Sequence, residues 1–230
     1  TDSYEPCTYM AVCKDGKMGE LQKVSFGTKV ADLVGDADVK AIAIGTKLYD
    51  ASAMDLVIEA DTQIGNGVIT VYSSKCCMIH ETEEVLLAER RQSCGKCTFC
   101  REGLIQLHTM VKEITEGQGK KEFTDMMEEI GEAMTFSTPC TMGQTASDFA
   151  MGSLKYFAGE YEDHIKKKKC ANNVCSAFMS IYIDPDLCEG CEECADVCPA
   201  DAIEGKSGYI HMIDEFECTK CGKCISACEN

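Results

Sequence analysis

Two cysteine-rich stretches decide the fold of the last quarter of the chain: residues 188–199 read CEGCEECADVCP, and residues 218–229 read CTKCGKCISACE. Both stretches have the spacing C-x2-C-x2-C-x3-C, so the chain contains an internal repeat. Thiols placed this close together along the backbone suit a metal centre, whereas disulfides do not need such spacing. The repeat therefore predicts two metal-binding units rather than a disulfide scaffold.

The spacing of each stretch is the run found in bacterial two-cluster ferredoxins, in which the fourth cysteine binds the other 4Fe-4S cluster. Three closely spaced thiolates reach three irons of one cluster, and the fourth points towards its neighbour. The alternative is a pair of zinc ribbons, but these usually combine two C-x2-C units across a longer loop. The two predicted cluster-binding sets are Cys188, Cys191, Cys194 and Cys228, and Cys198, Cys218, Cys221 and Cys224.

The composition narrows the class of protein further. The chain has 230 residues, 18 cysteines and a formal net charge of -17. So acidic a chain does not neutralise phosphates, which argues against nucleic acid or anionic lipid as a partner. No long uncharged apolar run and no signal peptide is visible, so we expect no membrane span and a cytoplasmic location.

The chain divides into three predicted modules, which give an α+β multidomain fold class. Residues 1–78 contain short apolar runs bounded by turn signals, which indicates a β-grasp-like module with one short helix. Residues 79–169 have apolar residues at spacings of three and four, which predicts a four-helix bundle whose last helix covers residues 154–164. Residues 170–230 form the two-cluster ferredoxin module.

A third cysteine motif begins a predicted helix of the bundle. The sequence SCGKCTFCREG has three cysteines at C-x2-C-x2-C spacing but no adjacent fourth one. A cysteine in the loop TPCTMGQ, between two predicted helices, is the expected fourth ligand. We also expect Gly95 and Gly103 to let backbone amides approach the sulfur atoms. The predicted ligands of this third 4Fe-4S cluster are Cys94, Cys97, Cys100 and Cys140.

SCGKCTFCREG followed by a loop cysteine resembles the cluster-binding end of the NADH-binding flavoprotein subunit of respiratory complex I. It resembles still more the beta subunit of electron-bifurcating hydrogenases and related oxidoreductases. The order of a soluble-ligand-binding β-grasp module, a cluster bundle and a two-cluster ferredoxin is similar too, over roughly residues 10–230. Members of that family carry a flavin- and NADH-binding domain ahead of these modules, and we expect this chain to lack it.

The resemblance implies an iron-sulfur electron-transfer subunit of a multisubunit, electron-bifurcating oxidoreductase. Its implied partners are a flavin- or NAD(P)H-binding subunit and a catalytic or ferredoxin-reducing subunit, such as a hydrogenase or a formate dehydrogenase. No catalytic triad is readable, so no catalytic residue is predicted. Two alternatives stay open: a flavin or NAD(P)H site formed jointly with a partner, and a redox-sensing or scaffold iron-sulfur protein.

The cysteines outside the three cluster sets indicate a fourth metal site. His164 lies on the apolar stripe of its predicted helix, and two cysteines follow in the next loop. Three thiolates and one imidazole form a common closed zinc site, which one of the adjacent Cys76 and Cys77 would complete. We choose Cys77, because CCMI resembles the cysteine-methionine position of the family. The predicted structural zinc ligands are Cys77, His164, Cys170 and Cys175, and the alternative is free thiols in a core.

Overall fold

The computed structural model describes residues 6–14 and 16–228. The chain forms two compact units, Thr1–Cys175 and Ser176–Asn230. The predicted boundary between residues 78 and 79 falls inside the first unit. The mixed α and β composition is confirmed, and no described helix is long and apolar enough to cross a membrane.

The first unit begins with a mixed sheet, one short α-helix, α1 (Val30–Val34), and a short 3-10 helix (Ala51–Asp55). Its strands are β1 Cys7–Lys14, β2 Lys17–Met18, β3 Gln22–Ser25, β4 Thr28–Lys29, β5 Ala41–Ile44, β6 Lys47–Asp50, β7 Val57–Ile58 and β8 Val68–Tyr72. The sheet order is β2-β1-β8-β5-β6, with β3 also pairing β1. β1 and β8 run parallel, whereas β5 is antiparallel to both of its neighbours. β4 and β7 form a separate antiparallel pair.

Both faces of this sheet are covered, and the sequence AIAI of β5 explains how. Successive strand residues point to opposite faces. Ile42 and Ile44 therefore belong to one core, together with Val30 and Val34 of α1. The two alanines of β5 belong to a second core, which also contains Phe149 from the helical part. Their small side chains let the helices approach the sheet closely.

The helical part of the first unit follows the sheet directly. Its helices are α2 Met78–Gln92, α3 Thr98–Thr115, α4 Phe123–Ser137, α5 Thr141–Thr145, α6 Asp148–Tyr156 and α7 Ala158–Ile165. Gly152 of α6 lies so near the backbone of Leu48 in β6 that any side chain would clash there. The helices thus pack against one another and against the sheet.

The helical part differs from the predicted four helices in two ways. α5 is an additional short helix after Cys140. The helix predicted over residues 154–164 is divided at Phe157, whose φ of -121° and ψ of 28° leave the helical region. The Phe157 side chain packs beside the core that contains Phe149. We attribute the break in the helix to this contact. Tyr161 and His164 still lie on the buried side of α7.

The second unit is small and consists mainly of loops. Its helices are α8 Glu193–Asp196 and α9 Lys223–Ala227, and a short 3-10 helix covers Ser176–Phe178. Strands β9 (Ile203–Glu204) and β10 (Met212–Ile213) form an antiparallel hairpin. Because so little regular structure is present, the cysteine loops make up most of this unit.

Candidate metal centres

The two cysteine runs of the second unit fold in the same way. In each run the amide of the first cysteine donates to the carbonyl of an aspartate four residues earlier, at 3.0 Å. Gly190 and Lys220 occupy equivalent positions and have φ of 73° and 54°. Glu192 and Gly222 are the next equivalent pair, with φ of 68° and 72°. These left-handed residues turn the backbone between successive cysteines, so the sequence repeat is also a repeat of conformation.

Each predicted cluster set of the second unit surrounds its own cavity. One cavity, called here the first cavity, is lined by Cys188, Cys191, Cys194 and Cys228. The other, the second cavity, is lined by Cys198, Cys218, Cys221 and Cys224, of which Cys224 also borders the first cavity. Aliphatic side chains, including those of Ile181 and Ile213, form much of the remaining walls. The structure therefore brings together both sets of four cysteines, with a space among them.

Backbone amides point at several of these sulfur atoms. The amide of Lys220 donates to Cys218 Sγ at 3.4 Å, and the amide of Ala202 donates to Cys198 Sγ at 3.4 Å. A hydrogen bond from the Lys223 amide lowers the pKa of Cys221, because it stabilises the thiolate. Burial raises the pKa of Cys194. Amide donors thus compensate part of the cost of placing negative sulfur in an apolar environment.

The third predicted set lies at two helix N-termini of the first unit. Cys97 precedes the first turn of α3, and Cys140 precedes the first turn of α5. Unpaired amides at such ends favour negative charge, which suits anionic thiolate ligands. Cys100 is buried and lies 4.0 Å from the sulfur of Met142, two residues beyond Cys140. This contact brings the loop of Cys140 to the cysteine motif, while Cys94 and Cys140 are exposed.

The two glycines of this motif have different surroundings. Gly95 has φ of 71°, and its carbonyl accepts a hydrogen bond from Arg101 Nη1 at 2.8 Å, which fixes the cysteine loop to α3. Gly103 faces α4, where a side chain would clash with the Met134 sulfur atom. We therefore assign Gly103 to helix packing, instead of the approach of amides to sulfur that the sequence predicted.

The four predicted zinc ligands converge on one point. Their ligand atoms all lie within 4.8 Å of one another, and all four residues are buried. Cys77 Sγ lies 3.8 Å from Cys175 Sγ and 3.5 Å from His164 Nε2. Tetrahedral zinc with bonds of about 2.3 Å to sulfur and 2.0 Å to nitrogen requires separations of about 3.8 Å and 3.5 Å. The spacing of these donors therefore fits a single tetrahedral ion.

Three local features assemble this group. Cys77 directly precedes α2, and His164 lies in the last turn of α7. The loop after α7 contains Lys168 and Asn173 in left-handed conformations, which turn it back so that Cys170 and Cys175 reach the imidazole. The neighbouring Cys76 instead lies 3.9 Å from the hydroxyl of Ser73, outside the group.

The ionisation of this group favours a cation at its centre. A hydrogen bond from the Cys175 thiol lowers the pKa of Cys77 to about 3, against the effect of burial, and raises the pKa of Cys175. Burial is the largest single effect on His164 and opposes its charge, but the hydrogen bond with Cys77, the negative charge of Cys77 and the hydrogen bond to the Glu160 carbonyl together raise the pKa of His164 to about 9. A negative sulfur beside buried donors is the environment in which a divalent metal replaces protons.

A second layer of contacts orients the histidine. His164 Nδ1 donates to the Glu160 carbonyl at 2.8 Å, which leaves Nε2 for the metal. The Glu160 carboxylate accepts from the amide of Met78 at 3.0 Å and pairs with Lys40 Nζ at 2.6 Å. Lys40 also donates to the carbonyl of Cys76 at 2.6 Å. The sequence does not predict the pairing of Lys40 with Glu160, because no local spacing relates two residues so far apart in the chain.

Comparison with known protein families agrees with the cysteine geometry. Residues 81–164 match the family described as NADH-ubiquinone oxidoreductase-F iron-sulfur binding region. Residues 180–229 match the 4Fe-4S dicluster domain. The chain therefore contains two iron-sulfur binding domains, one in each structural unit.

Individual relatives extend this result. The chain is 35% identical over 148 residues to NADP-reducing hydrogenase subunit HndC of Solidesulfovibrio fructosivorans, covering 64% of this chain and 30% of that protein. It is 30% identical over 104 residues to the mitochondrial NADH dehydrogenase [ubiquinone] flavoprotein 1 of Dictyostelium discoideum, covering 45% of this chain and 22% of the relative. The chain thus spans less than a third of the length of these relatives. Over that part it is homologous to both of them.

A solved structure shows the same fold. A chain from the crystal structure of NAD+-reducing [NiFe]-hydrogenase in the H2-reduced state superposes with a TM-score of 0.65. The match covers 72% of this chain and 30% of that chain at 18% sequence identity. At this identity the likeness concerns the fold alone.

Proposed function

We propose that this chain, an iron-sulfur protein related to HndC and to the NADH dehydrogenase flavoprotein, is an electron-transfer subunit of a multisubunit oxidoreductase. It would hold three 4Fe-4S clusters and one structural zinc ion. The observation that carries the proposal is the pair of cavities in the second unit, each lined by the four cysteines of one predicted cluster set. Each 4Fe-4S cluster, when bound, supplies one-electron transfer.

The residues around the cavities have three tasks in this proposal. The cysteines hold the clusters. Each cluster takes one ligand from the other cysteine run, since Cys228 joins the first set and Cys198 the second. The amides of Lys220 and Ala202 donate to sulfur and moderate its negative charge. Aliphatic side chains keep water away, which is one of the factors that set a reduction potential.

The helical part of the first unit would hold the third cluster on Cys94, Cys97, Cys100 and Cys140. The match of residues 81–164 to an iron-sulfur binding region supports this assignment, as does the contact between Cys100 and Met142. The exposure of Cys94 and Cys140 suits exchange of electrons with a partner.

The group of Cys77, His164, Cys170 and Cys175 would bind the zinc ion in a closed structural site. His164 Nε2 lies 3.5 Å from Cys77 Sγ and 3.4 Å from Cys175 Sγ, and these distances support a single ion bound by all three atoms. The donors are fully buried, so no position is open for a substrate. The ion would join the end of the sheet module to α7 and its loop.

Within the complex we propose three modules: residues 1–78 β-grasp-like, 79–169 a cluster bundle, and 170–230 a two-cluster ferredoxin module. The proposed partners are a flavin- or NAD(P)H-binding subunit and a hydrogenase, formate dehydrogenase or ferredoxin-reducing subunit, in an electron-bifurcating complex in the cytoplasm. The names of the relatives, a hydrogenase subunit and an NADH dehydrogenase flavoprotein, support this class of complex. A flavin site shared with a partner is the second candidate, and flavin bound after purification would favour it.

Metal analysis of anaerobically reconstituted protein tests the proposal. Three clusters predict about twelve irons and twelve sulfides per chain, and the closed site predicts about one zinc. Cys188→Ser should lower the iron content to about eight, because it removes one ligand of the first cavity. Cys13→Ser is the control, since Cys13 lies on β1 outside all four sets. An iron content of four or fewer after full reconstitution would overturn the two-cavity assignment.

A further inference from the structure

His211 is a buried side chain with unused hydrogen-bonding groups. Its relative exposure is 2%, and neither ring nitrogen has a hydrogen-bond partner among the described residues. A buried polar group without a partner costs about 1–3 kcal/mol of folding free energy. Such groups are rare in native proteins and often have a role in binding or redox chemistry. The imidazole therefore requires a hydrogen-bond partner other than the described residues.

The β9–β10 hairpin fixes the position of this imidazole. His211 directly precedes β10, and Gly205 directly follows β9. The ring packs so closely against Gly205 that a single added carbon would overlap its atoms. A residue other than glycine would push the ring out of its place. The hairpin thus holds the ring in one orientation against the interior of the unit.

His211 lines the first cavity together with Cys188, Cys191, Cys194 and Cys228. Ile183 and Leu187 form part of the wall and offer no acceptor. Asp184 and Glu189 also line the cavity, but their carboxylates accept no hydrogen bond from the ring. The sulfur atoms of a bound cluster and of its thiolate ligands carry negative charge and accept N–H hydrogen bonds. A sulfur atom in this cavity could accept the hydrogen bond that the ring N–H of His211 otherwise lacks.

The internal repeat supplies a natural comparison for this position. His211 stands seven residues before Cys218, the first cysteine of its run, and Ile181 stands seven residues before Cys188. Ile181 lines both cavities, and its side chain offers no donor to either. The repeat therefore has one member with an imidazole at this position and one member with a hydrocarbon.

We propose that His211 donates a ring N–H to sulfur of the 4Fe-4S group held by Cys188, Cys191, Cys194 and Cys228. This inference rests on the proposed function. A donated hydrogen bond stabilises the reduced form of the cluster, which carries one more negative charge, and so raises its reduction potential. His211 is a positioning residue rather than a ligand: it sets the potential of one cluster and leaves the other two as they are.

Replacing His211 by Ile, the residue of the equivalent repeat position, is the direct test in the full-length reconstituted protein. An EPR-monitored redox titration should resolve three one-electron components. For one of them, the ratio of reduced to oxidised cluster at fixed potential should fall about tenfold in His211→Ile, equivalent to about 59 mV. The other two components should stay unchanged. His211→Asn, which keeps an N–H donor, should recover part of the shift.

A spectroscopic measurement separates a direct hydrogen bond from a packing effect. Histidine labelled with 15N should give a hyperfine coupling to one reduced cluster, and this coupling should vanish in His211→Ile. Ile181→Val is the matched control, since it changes a repeat-equivalent side chain without adding or removing a donor.

The outcomes distinguish this inference from the function on which it rests. If Cys188→Ser loses no iron, the cluster assignment itself fails. If all three clusters are present but neither potential nor coupling changes in His211→Ile, the hydrogen bond does not exist. If His211→Asn loses four irons while the unit stays folded, His211 is a ligand and the proposed role as donor is wrong.

Discussion

The two ligand sets of the first unit are built in opposite ways. Cys77, His164, Cys170 and Cys175 are buried, and their donor atoms converge within 4.8 Å. Within residues 6–14 and 16–228, this is the one set of cysteine, histidine or acidic side chains that converges so closely. In the set of Cys94, Cys97, Cys100 and Cys140, Cys94 and Cys140 are exposed, and Cys97 and Cys140 directly precede helices.

This difference follows from what each set is proposed to bind. A single ion is small, so its ligand atoms must lie close to one another. The packing of the protein has to bring them together. A cluster binds each thiolate at a different iron, so its ligands must surround a space instead. Burial suits a structural ion, whereas exposure suits a group that exchanges electrons. Stability should therefore depend strongly on the first set and weakly on the second.

The largest expected effect tests this comparison directly. Cys77→Ser should lower the free energy of unfolding of the metal-loaded protein by roughly 4 kcal/mol or more, because it removes the zinc from a buried site. Cys140→Ser should remove one cluster but cost only about 1 kcal/mol, since it lies at the surface. Urea unfolding of anaerobic samples, followed by circular dichroism and metal analysis, measures both quantities.

Cys76→Ser is the matched control, because Cys76 is adjacent to Cys77 but outside the converging group. It should keep the zinc and most of the stability. Equal losses of stability in Cys77→Ser and Cys140→Ser would contradict the division between a structural and an electron-exchanging site.

A smaller effect should follow from the second layer of the closed site. Lys40→Met leaves the Glu160 carboxylate, whose side chain is 20% exposed, without its cation. We expect a loss of roughly 1–3 kcal/mol in unfolding free energy and a decrease of at least about tenfold in zinc affinity. Competition with a chelator measures the affinity.

Lys29→Met provides the control for this change. The ion pair of Lys29 with Asp55 spans 3.5 Å and is well exposed, at 53% and 87% for the two side chains. Exposed pairs contribute little, so the change should stay within about 0.5 kcal/mol and leave zinc affinity unaltered. If both lysine variants behave alike, the Lys40 network has no part in holding the metal ligands.

The smallest expected effect concerns pH and the other buried histidine of the unit. His108 Nδ1 accepts a hydrogen bond from Arg90 at 3.0 Å. Burial, and then the charge of Arg90, lower the pKa of His108 below 6.5. As pH falls through 6.5, the unfolded chain therefore binds a proton before the native state does, and native stability decreases.

His108→Gln should make the loss of stability between about pH 7 and pH 5.5 smaller, by less than about 1 kcal/mol. Urea unfolding at the two pH values measures the difference between variant and parent. Subtracting the parent also removes any contribution from acid-induced loss of metal, which both proteins share. A steeper loss in the variant would show that His108 gains a proton on folding.

Short-range features of this fold could be predicted from the sequence, because cysteine spacing fixes what a loop can reach. The two cavities of the second unit are lined by the cysteines that the ferredoxin spacing groups together, with Cys224 bordering both. The convergence of His164, Cys170 and Cys175 could also be predicted, because His164 lies at the end of a helix and the two cysteines lie in the loop that follows it. Identifying Cys77 as their partner needed the resemblance to a known family, since 98 residues separate it from Cys175.

Other features could not be predicted, because they depend on contacts between distant elements. The break at Phe157 arises from packing beside the sheet, although the apolar spacing around it is that of one continuous helix. Lys40 and Glu160 meet only when α7 lies against the end of the sheet module. The sequence did not indicate that His211 is buried beside a cavity, because a single histidine in a short strand-like segment can be either exposed or buried.

The span between Cys77 and Cys175 has a consequence for biosynthesis. The two thiols lie 98 residues apart in sequence, and the motif of Cys94, Cys97 and Cys100 and the loop of Cys140 lie between them. Synthesis proceeds at about 5–20 residues per second, so roughly 5–20 s pass between the appearance of the first and the last ligand. During that interval the cluster cysteines emerge from the ribosome while the zinc site is still open. Iron can therefore be inserted into this cluster site before zinc joins Cys77 to Cys175 at the two ends of the segment that contains it.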